Sequence, residues 1–146
     1  QPKQNNNIIN NSVFCITEDH NHNLWIGTSN AISKYDRKRN CFIAFNPDSL
    51  LTRRNVRVIY EDTKHNLWIG TEGNGLIVLK RDTLAASEKL IVLKHYLYKK
   101  GNENSLINNT VLTIVEDEHG MIWIGTNNGL CKLDIKKEIF YKFNAG

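Results

Sequence analysis

The chain has 146 residues, 40% of them hydrophobic and 23% charged, a composition typical of a folded globular domain rather than a disordered or membrane-embedded one. Its net charge of +4 is small, and lysine and arginine are spread along the chain rather than gathered among aromatic residues, which disfavours a nucleic-acid partner. No apolar run approaches the roughly 20 residues of a membrane-spanning helix, so we also expect no direct membrane contact.

One apolar hexapeptide recurs along the chain and sets its organisation. NLWIGT occupies residues 23–28 and 66–71, and MIWIGT occupies residues 121–126. The tryptophans of the three copies are 43 and 55 residues apart, so each repeating unit has roughly 40 residues. Repeats of this length are typical of propellers and solenoids, whose units stack on one another.

Each unit predicts four short strands in chain order. An Asn-rich approach leads to a first strand such as VFCITE, which ends at a Glu-Asp pair. A polar turn such as HNHN then leads to the second strand, LWIG, and an Asn/Gly turn leads to the third, such as AISKYD. A basic turn such as RKRN precedes a fourth, aromatic strand such as CFIAFN. Apolar residues recur with a period of two within the units, which indicates strands rather than helices.

The predicted fold is therefore an all-β propeller segment, made of three four-stranded antiparallel blades, within one domain that spans residues 1–146. The blades are expected at about residues 8–47, 48–100 and 101–146, and the main insertion lies at 83–95. Because propellers typically have about four to eight blades, three blades leave the ring incomplete. The exposed faces at both ends are expected to bind the remaining blades of a longer chain or a second copy.

Residues that recur in every copy are predicted to be architecture. A blade cannot bury both of its faces alone, and the LWI strand offers a bulky wall for stacking. The glycine after each tryptophan indicates a close backbone approach, since a side chain there would collide with a neighbour. The predicted structural residues are Trp25, Gly27, Trp68, Gly70, Trp123 and Gly125.

The third copy, VLTIVEDEHGMIWIGTNNGLCKL at residues 111–133, resembles the two-component regulator propeller repeat almost position by position. The first two copies place His22 and His65 where that repeat has the glycine seen here as Gly120, and Ala31 replaces a later turn glycine. The family forms the extracytoplasmic sensor region of hybrid two-component systems in polysaccharide-degrading bacteria. The resemblance implies a large propeller that senses oligosaccharides in the periplasm, and a parent chain with a membrane helix and a histidine kinase.

No catalytic residue, cofactor or metal site is predicted. The Glu-Asp pairs could serve acid-base chemistry, but they recur identically at strand ends and are expected to hold the turns. His20 and His22 have the spacing of metal ligands, but zinc needs three or four convergent ligands and this turn supplies too few. The three cysteines lack close spacing, and no Ser-His-Asp or Cys-His arrangement is present. A propeller lyase or hydrolase would need a non-repeating His/acid constellation that the sequence does not show.

The candidate ligand site lies where the repeats differ. In a propeller the turns after the second and fourth strands open onto one face, and the short amide and carboxylate side chains there suit sugar hydroxyls. The functional interpretation of the basic residues, Arg54 among them, is attraction of an acidic glycan. Alternatively, these residues simply satisfy turns with positive φ, and the basic residues are solvated rim charge. The predicted ligand-binding residues are Asn30, Arg54, Glu72, Asn74, Asn127 and Asn128.

The favoured function is an extracytoplasmic sensor segment without catalytic activity, which recognises an oligosaccharide and signals to a distant kinase domain. The location is periplasmic by family resemblance, although no signal peptide opens this sequence. The alternative is a protein-interaction scaffold without small-ligand binding, for which the blade edges and the insertion at 83–95 would matter more than the Asn-rich face.

Overall fold

The computed structural model describes residues 3–5, 7–8, 10–82 and 88–145. Its strands are β1 (Lys3–Asn5), β2 (Cys15–Glu18), β3 (Leu24–Gly27), β4 (Ile32–Asp36), β5 (Cys41–Phe45), β6 (Val56–Glu61), β7 (Leu67–Thr71), β8 (Leu76–Asp82), β9 (Lys89–Tyr96), β10 (Val111–Glu116), β11 (Ile122–Thr126), β12 (Gly129–Asp134) and β13 (Ile139–Phe143). A single turn of 3-10 helix, Pro47–Ser49, precedes β6. Among the described residues, no helix is long and apolar enough to cross a membrane.

The strands form three antiparallel sheets, and the predicted propeller-blade architecture is confirmed. The first blade has the strand order β1-β5-β4-β3-β2, the second β6-β7-β8-β9, and the third β10-β11-β12-β13. The fifth strand of the first blade, β1, pairs with the outer strand β5 and was not predicted, because it lies before the first sequence repeat. Of the insertion at 83–95, residues 83–87 lie outside the described residues, and the rest extends β9.

The first strand of each blade lies at the edge where the blades meet. Strand β6 contacts β2 and β3 of the first blade, and β10 contacts β6 and β7 of the second. The blades therefore stack face to face, with their first strands innermost; the outermost strand is the fourth in the second and third blades and β1 in the first. This arrangement is the one in which propeller blades surround a central axis, and here the ring is open.

Each of the first two tryptophans is buried by the blade that follows it. Trp25 is fully buried and clusters with Ile59 and Leu67 of the second blade. Trp68 is 2% exposed and clusters with Ile114 of the third blade. Replacing a buried tryptophan by alanine typically costs about 3–5 kcal/mol of folding stability. These two indoles are therefore the largest side chains in the contacts between blades.

The glycine after each of the first two tryptophans lies against the blade that follows. A Cβ atom at Gly27 would lie 2.7 Å from Cγ1 of Val56, and one at Gly70 would lie 2.7 Å from Cγ1 of Val111. Both valines begin the first strand of the following blade. Because real Cβ atoms do not approach other atoms this closely, the absence of a side chain is what allows the blades to pack at this distance.

We expect Gly70→Ala to lower the free energy of unfolding by about 1–3 kcal/mol, because the new methyl group would meet Val111 across the contact between blades in addition to Val58 of its own blade. The matched control is Gly125→Ala, whose methyl group would meet only Thr113 of the same blade, 2.5 Å from its Cγ2. The Thr113 methyl group can rotate away, so we expect Gly125→Ala to lower the free energy of unfolding by less than half as much as Gly70→Ala. Urea unfolding followed by tryptophan fluorescence measures both, and equal costs would contradict the role of blade approach.

Candidate functional site

The aspartate of each Glu-Asp pair holds its turn and its tryptophan. Its Oδ2 accepts a hydrogen bond of 2.8 Å from the indole N–H six residues later, in the pairs Asp19–Trp25, Asp62–Trp68 and Asp117–Trp123. Its Oδ1 accepts the backbone N–H groups two and four positions later, which closes the turn. Both carboxylate oxygens are thus engaged in hydrogen bonds of the turn and the indole.

The third position after this aspartate has a left-handed backbone in every blade. His22 has φ 65°, His65 has φ 67° and Gly120 has φ 79°. Glycine adopts this conformation without steric cost, whereas other residues are strained there. The turn geometry therefore explains why glycine is favoured at this position, from which the two histidines depart. It also fixes where the backbones of the two histidines lie.

The glutamate of each Glu-Asp pair joins its blade to the preceding one. Glu61 accepts the backbone N–H of His20 at 2.8 Å through Oε1, and Glu116 accepts the backbone N–H of Thr63 at 2.8 Å in the same way. Glu18 has no preceding blade among the described residues, and its side chain is 51% exposed. The repeated glutamate is therefore a link between blades, which the sequence alone did not reveal.

The Asn-rich turns of the first two blades meet on one face, as predicted from the order of the strands. The N–H of Asn30 donates to the carbonyl oxygen of Arg54 at 3.0 Å, and Oδ1 of Asn30 accepts the N–H of Arg53 at 2.7 Å. The N–H of Glu72 donates to the carbonyl oxygen of Asn55 at 2.9 Å. Hydrogen bonds thus bring Asn30, Arg54 and Glu72 into one patch that spans the first two blades.

Several of these polar side chains are used within the fold. Nδ2 of Asn74 donates to the carbonyl oxygen of Leu50 at 2.7 Å, and Oε1 of Glu72 accepts from Arg57 at 2.8 Å. Asn30 has φ 73°, so its identity also satisfies a strained turn. Turn geometry therefore accounts for the residue type at Asn30, whereas Glu72 and Asn74 are held by hydrogen bonds of their side chains.

Three of the predicted ligand-binding residues retain unused side-chain donors. Arg54 lies beside Gly73, and its guanidinium has no hydrogen-bond partner among the described residues. Asn127 and Asn128 are exposed on the corresponding turn of the third blade, where they bond only through their backbone N–H groups within the described chain. Within the described chain, no hydrogen bond occupies these three side chains.

The opposite ends of the strands carry a charged cluster that was not predicted. Nδ1 of His20 lies 2.6 Å from Oε2 of Glu61, and the rings of His20 and His65 stack with centroids 3.6 Å apart. Arg81 is 8% exposed and its guanidinium bonds Asp19 at 2.5 Å. A cavity of about 510 Å³ opens beside these groups, between the first two blades. The two histidines occupy different turn positions, so comparison of the repeats could not show that they converge.

Burial and hydrogen bonding shift two titrating groups in the first blade. Burial alone would raise the pKa of Asp19, but the hydrogen bonds from Trp25 and Asn23, together with the charge of Arg81, outweigh it and lower the pKa to about 2. Burial raises the pKa of the Cys15 thiol to about 11. This thiol is therefore protonated at neutral pH, which does not suit a nucleophile.

Comparison with known proteins supports the resemblance drawn from the sequence. The profile of the family described as "Two component regulator propeller" matches residues 7–30, 50–73 and 105–128. None of the curated proteins matches the chain.

Two of the solved structures similar to this chain come from B. thetaiotaomicron. The extracellular domain of BT4673, named as a hybrid two-component system, is 28% identical with a TM-score of 0.75, and the match covers 93% of this chain and 19% of that one. The extracellular domain of BT3049, named in the same way, is 34% identical with a TM-score of 0.72 and covers 93% and 17%. The chain thus spans less than a fifth of the length of these relatives.

We expect Asp19→Asn to lower the free energy of unfolding at pH 7 by about 2 kcal/mol, because the lowered pKa of Asp19 reports that much stabilisation of the charged form. An unfolded aspartate titrates near pH 3.9. The contribution is therefore complete above about pH 4 and is lost as pH falls towards 2.

Between pH 7 and pH 2, the measured free energy of unfolding should fall less steeply for Asp19→Asn than for the wild type. The control is Asp36→Asn, because this turn aspartate accepts backbone N–H groups but receives no indole donor. An Asp19→Asn variant that loses stability in acid as steeply as the wild type would contradict the proposed source of the stabilisation.

Proposed function

We propose, because the chain is built from two-component regulator propeller repeats, that it is a ligand-binding segment of the sensor region of a hybrid two-component histidine kinase. The structures that it resembles are extracellular domains, which supports a periplasmic location for this segment. Its ligand is an oligosaccharide, and occupancy is signalled to a kinase domain elsewhere in the parent chain. The segment itself has no catalytic activity.

The observation that carries this proposal is the set of unused donors on the Asn-rich face. The guanidinium of Arg54 and the amides of Asn127 and Asn128 have no side-chain partners among the described residues. Amides offer both donors and acceptors, which sugar hydroxyls require, and an arginine adds attraction for acidic sugars. Nearby, Arg57 of β6 forms an ion pair with Glu72 at 2.8 Å.

The alternative function is a protein-interaction scaffold. Ile91 and Leu93 are each 44% exposed on β9, the outer strand of the second blade, and they would offer a partner an apolar strip. A scaffold needs no small ligand, so the two functions differ in whether a sugar binds.

The face of the first blade that points away from the second blade exposes an isoleucine that is buried in the other two blades. Ile16, Ile59 and Ile114 occupy the same position in the three copies. Ile59 is 4% exposed and Ile114 is 5% exposed, because a preceding blade covers each of them, whereas Ile16 is 65% exposed. The same side chain is therefore buried or exposed according to whether a blade precedes it.

The open face of the third blade corresponds to the face that each earlier blade packs against the blade after it. Val115, Trp123, Lys132 and Tyr141 are aligned neighbours across four strands. Val115 is 51% exposed and Tyr141 is 41% exposed. In the earlier blades the tryptophan of this row is buried by the blade that follows. We propose that further repeats of the parent cover both open faces, and that a second copy takes their place when the segment is alone.

We expect the isolated chain to self-associate head to tail, because its two open faces are complementary halves of one contact. Sedimentation velocity at micromolar concentration should show oligomers for the wild type and monomers for Ile16→Lys or Val115→Lys. The matched control is Ile91→Lys, since Ile91 is similarly exposed but lies on the middle blade. A wild-type chain that stays monomeric would contradict the proposal.

We expect calorimetric titration with a panel of neutral and acidic oligosaccharides to detect binding to the chain. Arg54→Ala should weaken that binding by about ten-fold or more, the loss typical of a charged hydrogen bond. Lys38→Ala is the control, because Lys38 lies in the β4–β5 turn at the other end of the strands. No heat with any member of the panel would favour the scaffold.

A further inference from the structure

We propose that His20, Glu61 and His65 form a binding site for a divalent transition metal, with Zn²⁺ as the representative ion, at the junction of the first two blades. The inference depends on how these blades pack and is independent of the proposed sugar binding. Each turn alone supplies too few ligands, and for that reason the sequence predicted no metal. Stacking of the blades brings the three side chains together.

The distances between the ligand atoms suit a single ion. One atom from each of the three residues lies within 4.8 Å of the other two. Nδ1 of His20 is 2.6 Å from Oε2 of Glu61, and Nδ1 of His65 is 3.5 Å from the same oxygen. Zinc sits about 2.0–2.2 Å from nitrogen and oxygen ligands, so modest rotation of the two exposed rings brings all three atoms onto one ion.

The ligand types select transition metals. Two imidazoles and one carboxylate are a ligand set of zinc sites that leave the fourth position open to water or to another molecule. Imidazole nitrogen suits Zn²⁺, Ni²⁺ and Cu²⁺, whereas Ca²⁺ and Mg²⁺ prefer sites made of oxygen alone. We therefore expect Zn²⁺ to bind and Ca²⁺ not to bind.

The surrounding hydrogen bonds hold the ligands in place. Oε1 of Glu61 accepts the backbone N–H of His20 at 2.8 Å, so its other oxygen, Oε2, is directed at the two imidazoles. The side chain of Glu61 is only 12% exposed. The left-handed turn at His65 fixes the backbone that carries the third ligand. Such fixed outer contacts lower the reorganisation that metal binding would otherwise require.

Neighbouring charges limit the affinity. Nη1 of Arg81 lies 3.5 Å from Oε2 of Glu61, although this guanidinium also bonds the carboxylates of Asp19 and Glu88. Lys64 and Lys80 line the adjoining cavity, as do three further polar or charged side chains of the first blade. These positive charges oppose a cation, so we expect micromolar binding, weaker than a closed four-ligand structural zinc site.

The experiment titrates ZnCl₂ into the untagged full chain by calorimetry, with a parallel thermal unfolding series. We expect one Zn²⁺ per chain. His65→Ala should weaken binding at least about ten-fold, because it removes a ligand from a three-ligand set. Saturating Zn²⁺, at about a hundred times its Kd, should raise the Tm of the wild type by about 5–10 °C and that of His65→Ala by much less.

The matched control is His22→Ala. His22 lies in the same turn as His20, but its side chain is 81% exposed and its ring is 3.8 Å from Glu18, outside the cluster. This variant should bind Zn²⁺ as the wild type does. Glu61→Gln serves as a second test that preserves the shape of the side chain and should also weaken binding.

Three results would overturn the proposal. They are no Zn²⁺ binding by the wild type, equal binding by the wild type and His65→Ala, or equal loss in His65→Ala and His22→Ala. In the first case His20 and His65 are a stacked pair held by Glu61, with no ion. In the others Zn²⁺ binds elsewhere on the chain. None of these results bears on the sugar titration, so the two proposals fail separately.

Discussion

The hydrogen bond between the turn aspartate and the indole N–H is the interaction on which this architecture depends. A tryptophan buried between two blades loses water at its N–H, and that donor must find a partner inside the protein. Asp19 supplies it for Trp25, and the same bond recurs at 2.8 Å in the other two blades. Because the second oxygen of each carboxylate closes the turn, one side chain sets both the hairpin and the direction of the indole.

Stacking of the blades follows from this arrangement. The oriented indole presents a broad apolar surface to the next blade, the glycine beside it removes a steric obstacle, and the glutamate before the aspartate bonds the preceding turn. These devices recur because every contact between blades needs them. The proposed binding roles fall to residues that differ between copies, such as Arg54 on one face and His20 at the opposite ends of the strands.

Much of the fold could be predicted from the sequence, because its signals are local. The period-two alternation around Trp25, Trp68 and Trp123 reports strands that each bury one face, and the polar turns separate them. The face that carries Asn30 and Arg54 followed from strand order alone. The fifth strand of the first blade could not be predicted, since its pairing with β5 depends on backbone hydrogen bonds rather than on a repeated side-chain pattern.

The sequence by itself determined the repeat, the four strands of each repeat and the aspartate-closed turns, because each depends on residues that are close together in the chain. Only the tertiary structure decided which side chains meet across blades. His20 and Glu61 are 41 residues apart, and their contact exists because the second blade packs its first strand against a turn of the first. Such a meeting depends on the spacing and angle between whole sheets, which no local pattern records.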